Sequence, residues 1–455
     1  MDSLQIPQQK SFLSQLQDSV AAKLFLIGVL TLLLLIPSSW IQSLISEREQ
    51  RQEEAINEIS EKWAGSQLIE SPVMQLPYKT SLKVTDAAGK VTFKEVISTI
   101  YILPENLNIQ SQINPQELKR GIFTAVVYNA RIKIKGGFSQ LELKKSGINP
   151  DMIDWSKVKI TAGISDFKGL KSNPVIRLGD SLYTAEPDFS KENLFSNSLA
   201  IQTNLTSTKN TSLDFNIDME LAGSGELNFL HLGKNTTVNV AGKWDNPSFT
   251  GSYLPEKRNT ESKDFTGAWK MSNFSRPFPQ QWEASNNALT NQNKEKATFG
   301  IKFLLPVDHY QKATRSAKYA ILIILLSFIS LFFIELLNKV RVNLLQYVLI
   351  GAAMIIYYSL LLSFTERVGF AVAYLVASVS TIVLISTFIG AFLSNRKAAA
   401  VFAVILSIFY IFIYVIIQLQ DLALLFGSIG LFITVACLMY FSVKINHNKP
   451  QSANA

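Results

Sequence analysis

Thiol chemistry is nearly absent from this 455-residue chain, whose single cysteine is Cys437. No internal disulfide can form, so any folded domain must be held by its own core. Histidine is almost as scarce, with only His231, His309 and His447, none near another. There is no H-E-x-x-H and no Cys/His spacing of the kind that holds zinc, so no metal site is expected. A Walker A loop, a G-x-G-x-x-G turn and a G-x-S-x-G elbow are also missing, which removes the usual handles for ATP hydrolysis and lipase-type chemistry. No catalytic or cofactor-binding residue is expected. Charge is missing from the last third: residues 45–318 hold 34 of the 43 Lys+Arg and 30 of the 35 Asp+Glu. No Lys/Arg run is dense enough for a nucleic-acid partner, although the pI is about 9.2.

What is present falls into two physical regimes. Residues 319–337 (YAILIILLSFISLFFIELL) carry one charge, Glu335, close to one end. At about 1.5 Å per residue such a run crosses most of a bilayer's hydrocarbon core. Four more apolar runs follow at 344–364, 368–393, 398–418 and 422–443, joined by short links that force antiparallel neighbours. An earlier run, 24–44, reads as an uncleaved signal anchor. A cleaved signal peptide would be shorter and end in an A-x-A site, whereas here Pro37, Ser38 and Ser39 run on into Trp40 and Ile41. Pro37 is expected to kink this helix.

Residues 45–66 read as a helical stalk, with Ile56, Ile59 and Trp63 on one stripe. From 67 to 318 the pattern is short strands and turns, with strands expected near 82–84, 91–103, 128–134, 158–164, 175–178, 213–221, 226–231, 236–240, 248–254, 266–274 and 297–307. Residues 86–89 (DAAG) read as a hairpin turn, and 150–155 as a short helix capped by Asn149. The fold class expected is therefore an α+β membrane protein. It has a large all-β, sandwich-like extracytoplasmic domain, an N-terminal anchor and a C-terminal five-helix bundle, six transmembrane helices in all.

Orientation follows from loop charge. With residues 1–23 and 444–455 cytoplasmic, the inside segments hold Lys10, Lys23, Lys339, Arg341, Arg396, Lys397, Lys444 and Lys449. The short outside loops hold only Arg367, beside Glu366. That asymmetry matches the positive-inside bias and places the β-domain outside the cytoplasm. No spanning run has a charged residue or histidine at its midplane, which argues against proton-coupled transport. Glu335 is expected at the cytoplasmic interface facing Lys339 or Arg341, Glu366 and Arg367 in a solvated outer turn, and Tyr357 and Tyr358 in helix packing. A penicillin-recognising reading fails on order: S-x-x-K occurs at 156–159, 165–168 and 394–397, all after the K-S-G at 145–147, and no S-D-N exists.

Local phrases recur through the chain in a definite order. They include LLLLIP at 32–37, Glu47-Arg48, Arg120-Gly121-Ile122, Ser165-Asp166 with Gly169, and Gly223-Ser224-Gly225. Further on come Pro247-Ser248-Phe249 with Gly251, Leu254-Pro255 and Arg258. Then follow Pro306 through Tyr310, Arg315, Lys318-Tyr319-Ala320, Glu335, Gln346-Tyr347, Tyr358, Glu366 and Gly369-Phe370. Together they resemble the CreD family of bacterial inner-membrane proteins, also described as cell-envelope integrity proteins. The chain departs from that pattern at Arg367, where a histidine would be expected. The resemblance implies an inner-membrane protein tied to envelope stress, in some bacteria under two-component control, and linked to colicin or β-lactam tolerance and cell shape. It brings no catalytic residues. It marks Arg120, Asp166, Pro247, Phe249, Arg258, Tyr310, Arg315, Glu335 and Glu366 as candidate functional positions.

The leading functional expectation is a non-enzymatic β-domain, anchored in membrane lipid by helices at both ends, that binds an envelope component, either a partner protein or peptidoglycan. A transport or lipid-handling component and an envelope hydrolase are the alternatives.

Overall fold

The computed structural model describes residues 20–85, 91–139, 149–190, 193–206, 212–261, 263–305, 309–338, 340–419 and 422–447. The turn at 86–89, the K-S-G at 145–147, residues 306–308, Lys10, Lys339 and Lys449 lie outside them. The chain divides into a helical unit, Met1–Arg51 with Val307–Ala455, and a β unit, Gln52–Pro306.

The first helices, α1 (Val20–Leu33) and α2 (Leu35–Trp63), are interrupted only at Leu34. The break lies one turn before Pro37, whose missing N–H cannot satisfy the Leu33 carbonyl. The short α3 (Asn291–Ala297) belongs to the β unit. The helical unit continues with α4 (His309–Lys318), α5 (Ala320–Asn338), α6 (Leu344–Val368), α7 (Phe370–Leu393), α8 (Arg396–Gln418) and α9 (Ala423–His447). Among the described residues five helical segments are long and apolar enough to cross a membrane: Ala21–Trp63 and α5 to α8. The sixth, α9, contains the shorter apolar run Leu425–Ala436. A single residue joins α6 to α7. It is Gly369, at φ 82°, a backbone conformation that favours glycine. Glu366 and Arg367 are therefore the last turn of a helix rather than a loop.

The β unit contains β1 (Gln67–Thr85), β2 (Val91–Ile102), β3 (Asn106–Arg120), β4 (Phe123–Phe138), β5 (Val158–Ile164), β6 (Val175–Leu178), β7 (Ser181–Thr184), β8 (Glu186–Asp188) and β9 (Ser198–Thr203). After these come β10 (Leu213–Ser224), β11 (Glu226–Leu230), β12 (Asn235–Lys243), β13 (Pro247–Gly251), β14 (Lys257–Asn259), β15 (Asp264–Ser272), β16 (Gln281–Glu283) and β17 (Thr298–Phe303). They form two sheets. One has nine strands, with β13-β17-β11-β1-β5-β9-β8 as its spine and β2 and β16 beside it; the other runs β14-β15-β12-β3-β4-β10-β6-β7. One buried cluster draws Ile69, Ile160 and Phe299 from the first sheet and Ile109, Ile132 and Trp269 from the second. The β unit is thus a sandwich with a common core.

Alternation dictates this layering. In β4, Ala130, Ile132 and Ile134 face the core while Arg131, Lys133 and Lys135 face out. The expected short helix at 150–155 is a 3-10 turn, Pro150–Met152, with Asn149 accepting from Asp151 N at 3.1 Å. Strand β3 was not legible in advance. Its inward series, Leu107, Ile109, Ser111, Ile113 and Pro115, contains a serine and a proline and reads as a weak strand.

His231 and Glu70 are among the polar groups buried in the β unit. His231 is fully buried, with Nδ1 3.0 Å from Thr236 Oγ1 and Nε2 3.0 Å from the Ser272 carbonyl. Burial holds its imidazole down at about 4, so it is neutral in the folded state. The unfolded chain binds that proton near pH 6.5, so the stabilisation is complete above that pH and is lost as pH falls towards 4. Unfolding free energy measured between pH 7 and 4.5 is expected to drop by roughly 2 kcal/mol through this group, and His231→Gln should flatten that slope. Glu70, also buried, accepts from Lys294 Nζ at 2.8 Å opposite Gly163. A Cβ at Gly163 would clash with the Glu70 carboxylate and with Glu70 Cβ. Gly163→Ala should therefore dislodge the pair and destabilise the β unit by about 1–3 kcal/mol in denaturant titration.

Candidate functional site

The helical unit contains two polar clusters, one at each end of its long helices. At one end Glu335, in the last turn of α5, is buried and forms an ion pair with Lys23 of α1. Lys23 Nζ also donates to the Val342 carbonyl at 3.0 Å. Val342 N donates to Glu335 Oε1 at 3.2 Å, and Tyr347 OH of α6 donates to Oε2 at 3.3 Å. Three helices and the α5–α6 connection thereby converge on one carboxylate. Both of its oxygens have donors, which is the condition for burying a charge in an apolar bundle. The cations expected opposite Glu335 were Lys339 or Arg341; Lys339 lies outside the described residues, and the structure supplies Lys23 from the first helix.

At the other end Glu366 accepts from Tyr310 OH at 3.0 Å and lies 4.0 Å from Arg48 Nε. Its side chain is only 15% exposed, so it is not the solvated residue expected from sequence. Burial, and then the neighbouring Glu366 charge, push the Tyr310 phenol well above its ordinary range, so it remains a donor. Tyr310, Ala313 and Ala317 form the buried stripe of α4. Lys312, on the same helix, reaches Gln418 of α8 at 3.0 Å and lies over the Phe370 ring at 5.9 Å.

The spacing of the two clusters is informative. From Lys23 to Arg48 a helical rise of ~1.5 Å per residue gives roughly 38 Å. From Tyr347 to Glu366 the same rise gives about 29 Å. Both values bracket the ~30 Å hydrocarbon core of a bilayer, so the polar groups sit where an apolar slab would end. Between the clusters Tyr357 and Tyr358 are buried among rings, including Tyr410 at 4.8 Å from Tyr357, as the packing expectation had it.

The remaining candidate positions are scattered. Arg120, at the end of β3, forms an ion pair with Glu58 of α2; its hydrogen bond, helped by Lys62, holds the Glu58 carboxyl down at about 2. Asp166 caps the 3-10 turn Phe167–Gly169, accepting from Lys168 N at 2.9 Å and from Gly65 N at 3.0 Å. Pro247 begins β13, and Phe249 in the same strand packs edge-on against Trp269 at 5.6 Å. Arg258 is exposed on the edge strand β14. Arg315 is half-buried on α4. Of the nine positions only Tyr310 and Glu366 meet in a hydrogen bond. No group of three His, Cys, Asp or Glu side chains suited to a metal occurs among the described residues.

A model of a family described as "Inner membrane protein CreD" matches residues 19–448. The chain belongs to the CreD family. A CreD-family relative, "Inner membrane protein CreD" of Escherichia coli (strain K12), is 28% identical over 415 residues, covering 91% of each chain. Among solved structures, an M1 zinc metallopeptidase variant from Deinococcus radiodurans matches 44% of this chain and 42% of its own at 7% identity. Its TM-score of 0.20 is too low to carry any argument about fold. CreD membership and the long apolar helices make this chain a multi-pass inner-membrane protein.

Sequence reasoning noted Lys23, Arg48 and Tyr347 without assigning them partners. The available signal was a lone lysine at the edge of one apolar run and a lone glutamate inside the edge of another. Lys23→Met or Glu335→Gln should each destabilise the helical unit by about 3 kcal/mol, because the remaining group stays buried without its counter-charge. The double Lys23→Met/Glu335→Gln variant should recover much of that loss. Thermal unfolding of the four proteins in one detergent measures the coupling.

Proposed function

We propose that this CreD-family protein is a non-enzymatic support of the cell envelope, a β-domain held on the outer side of the inner membrane where it binds an envelope component. The observation that carries this reading is the connectivity. The β unit, Gln52–Pro306, is an insertion between the N-terminal helices and α4 to α9. Those two parts of the helical unit are tied to each other by Lys23–Glu335 and by Arg48, Tyr310 and Glu366. Both ends of the β unit are therefore continuous in sequence with one membrane body, a connectivity suited to anchoring a binding domain.

Loop charge supports the orientation. Lys23, Arg341, Arg396 and Lys397 mark the end of the helices that carries Glu335, and positive-inside bias makes that end cytoplasmic. The opposite end, with Glu366, and the β unit are then periplasmic, and both termini are cytoplasmic. The spans follow as 24–44, 319–337, 344–364, 368–393, 398–418 and 422–443.

Two measurements test the reading. Cysteines placed at Arg177 and Glu261 in a Cys437→Ala background should react with a membrane-impermeant maleimide in cells whose outer membrane alone is opened. Loss of the gene should raise envelope permeability and lower β-lactam tolerance, and a version lacking residues 67–305 should fail to restore either. Labelling only after lysis, or unchanged permeability and tolerance, would count against it.

A further inference from the structure

The outward face of the eight-stranded sheet carries a groove of about 520 Å³ whose shape follows from side-chain size in register. One cross-strand row runs Lys257, Ala268, Asn239, Gln110 and Lys133 over β14, β15, β12, β3 and β4. In the next row Thr266, Ala241, Gln112 and Arg131 are aligned in the same way. Ala268 and Ala241 are the small members and make the floor, while the long chains on either side make the walls. Four strand steps of about 4.8 Å give the groove a span of roughly 19 Å from Lys257 to Lys133.

The lining selects a chemistry. Gln110, Gln112 and Asn239 are exposed amides, each able to donate and accept at once, as a polyhydroxylated ligand requires. Arg131, Lys133 and Lys257 bring three positive charges, and no carboxylate lines the groove. Arg131 is engaged by Glu220 at 2.6 Å, whereas Lys133 and Lys257 pair with no carboxylate among the described residues. These two ammonium groups stand at opposite walls with amides between them. No aromatic side chain lines the groove, so recognition there is by hydrogen bond and charge rather than by stacking.

We infer that this groove is a binding site for an anionic glycan, a chain of sugar rings bearing carboxylate or phosphate groups. Lys133 and Lys257 contact the charges, and Gln110, Gln112 and Asn239 contact the hydroxyls. The inference rests on the periplasmic placement proposed above for its biological setting, but the binding itself is tested on the purified full-length chain. Peptidoglycan sacculi supply carboxylates, lipopolysaccharide supplies phosphates, and dextran is the neutral control.

Cosedimentation with sacculi, and binding to immobilised lipopolysaccharide or dextran, should show retention on at least one anionic glycan and none on dextran. The glycan retained names the source of the charge. Lys133→Glu with Lys257→Glu should weaken that binding at least about tenfold, and raised salt should act in the same direction. Ala268→Trp keeps every charge but fills the floor, and should weaken it too. All three side chains point away from the core, so far-UV circular dichroism should be unchanged. Equal binding by the charge-reversed or filled variant, equal retention on dextran, or binding to none of the three would overturn the inference. Maleimide labelling that placed the β unit in the cytoplasm would defeat the platform reading instead, leaving the groove measurement to stand or fall by itself.

Discussion

The ion pair between Lys23 and Glu335 joins positions 312 residues apart and is the contact on which the organisation of the helical unit depends. A charge in an apolar bundle is tolerated only when its counter-charge and hydrogen bonds arrive together. Here a lysine, a backbone N–H and a tyrosine hydroxyl converge on Glu335 from elements separated by the whole β unit. The first helix cannot satisfy Lys23 alone, and α5 cannot satisfy Glu335 alone. The far end repeats the logic more weakly, with Arg48 at 4.0 Å and Tyr310 at 3.0 Å from Glu366. Two clusters about a bilayer thickness apart define helix registers that packing of Leu, Ile and Phe leaves free to slide.

The β unit uses a different device, the two-residue period of the strand. Each strand of the eight-stranded sheet contributes to the core on one face and to solvent on the other. In β3 the inward series holds Leu107, Ile109 and Ile113, and the outward series holds Asn108, Gln110 and Gln112. The same alternation in β4 and β12 lines up amides with basic groups, because cross-strand neighbours are set by register. Core packing thus fixes the placement of the groove. A one-residue slip in β3 would bury the glutamines and expose the isoleucines.

Several of the candidate positions make local structural contacts. Asp166 caps a turn, Phe249 packs on Trp269, and Arg120 pairs with Glu58. Their polar or aromatic character is explained by the local contact each makes. The pairs Lys23–Glu335 and Tyr310–Glu366 differ in kind, since they bridge distant parts of one membrane body.

By itself the sequence determined the two regimes, the apolar helices and the strand-rich segment between them. Hydrophobic run length and two-residue alternation are local properties, and the physics of lipid and sheet acts on them directly. Pro37 marked the helix break within a turn, and Ile56, Ile59 and Trp63 marked the face that packs on Ala125 and Val127. The tertiary structure alone decided which lysine meets Glu335, that Glu366 lies in a helix end rather than a loop, and that Gln110, Lys133 and Lys257 share one groove. Those facts depend on strand order and on contacts across hundreds of residues. No local pattern encodes them, because the β14-β15-β12-β3-β4 order is not the order of the chain.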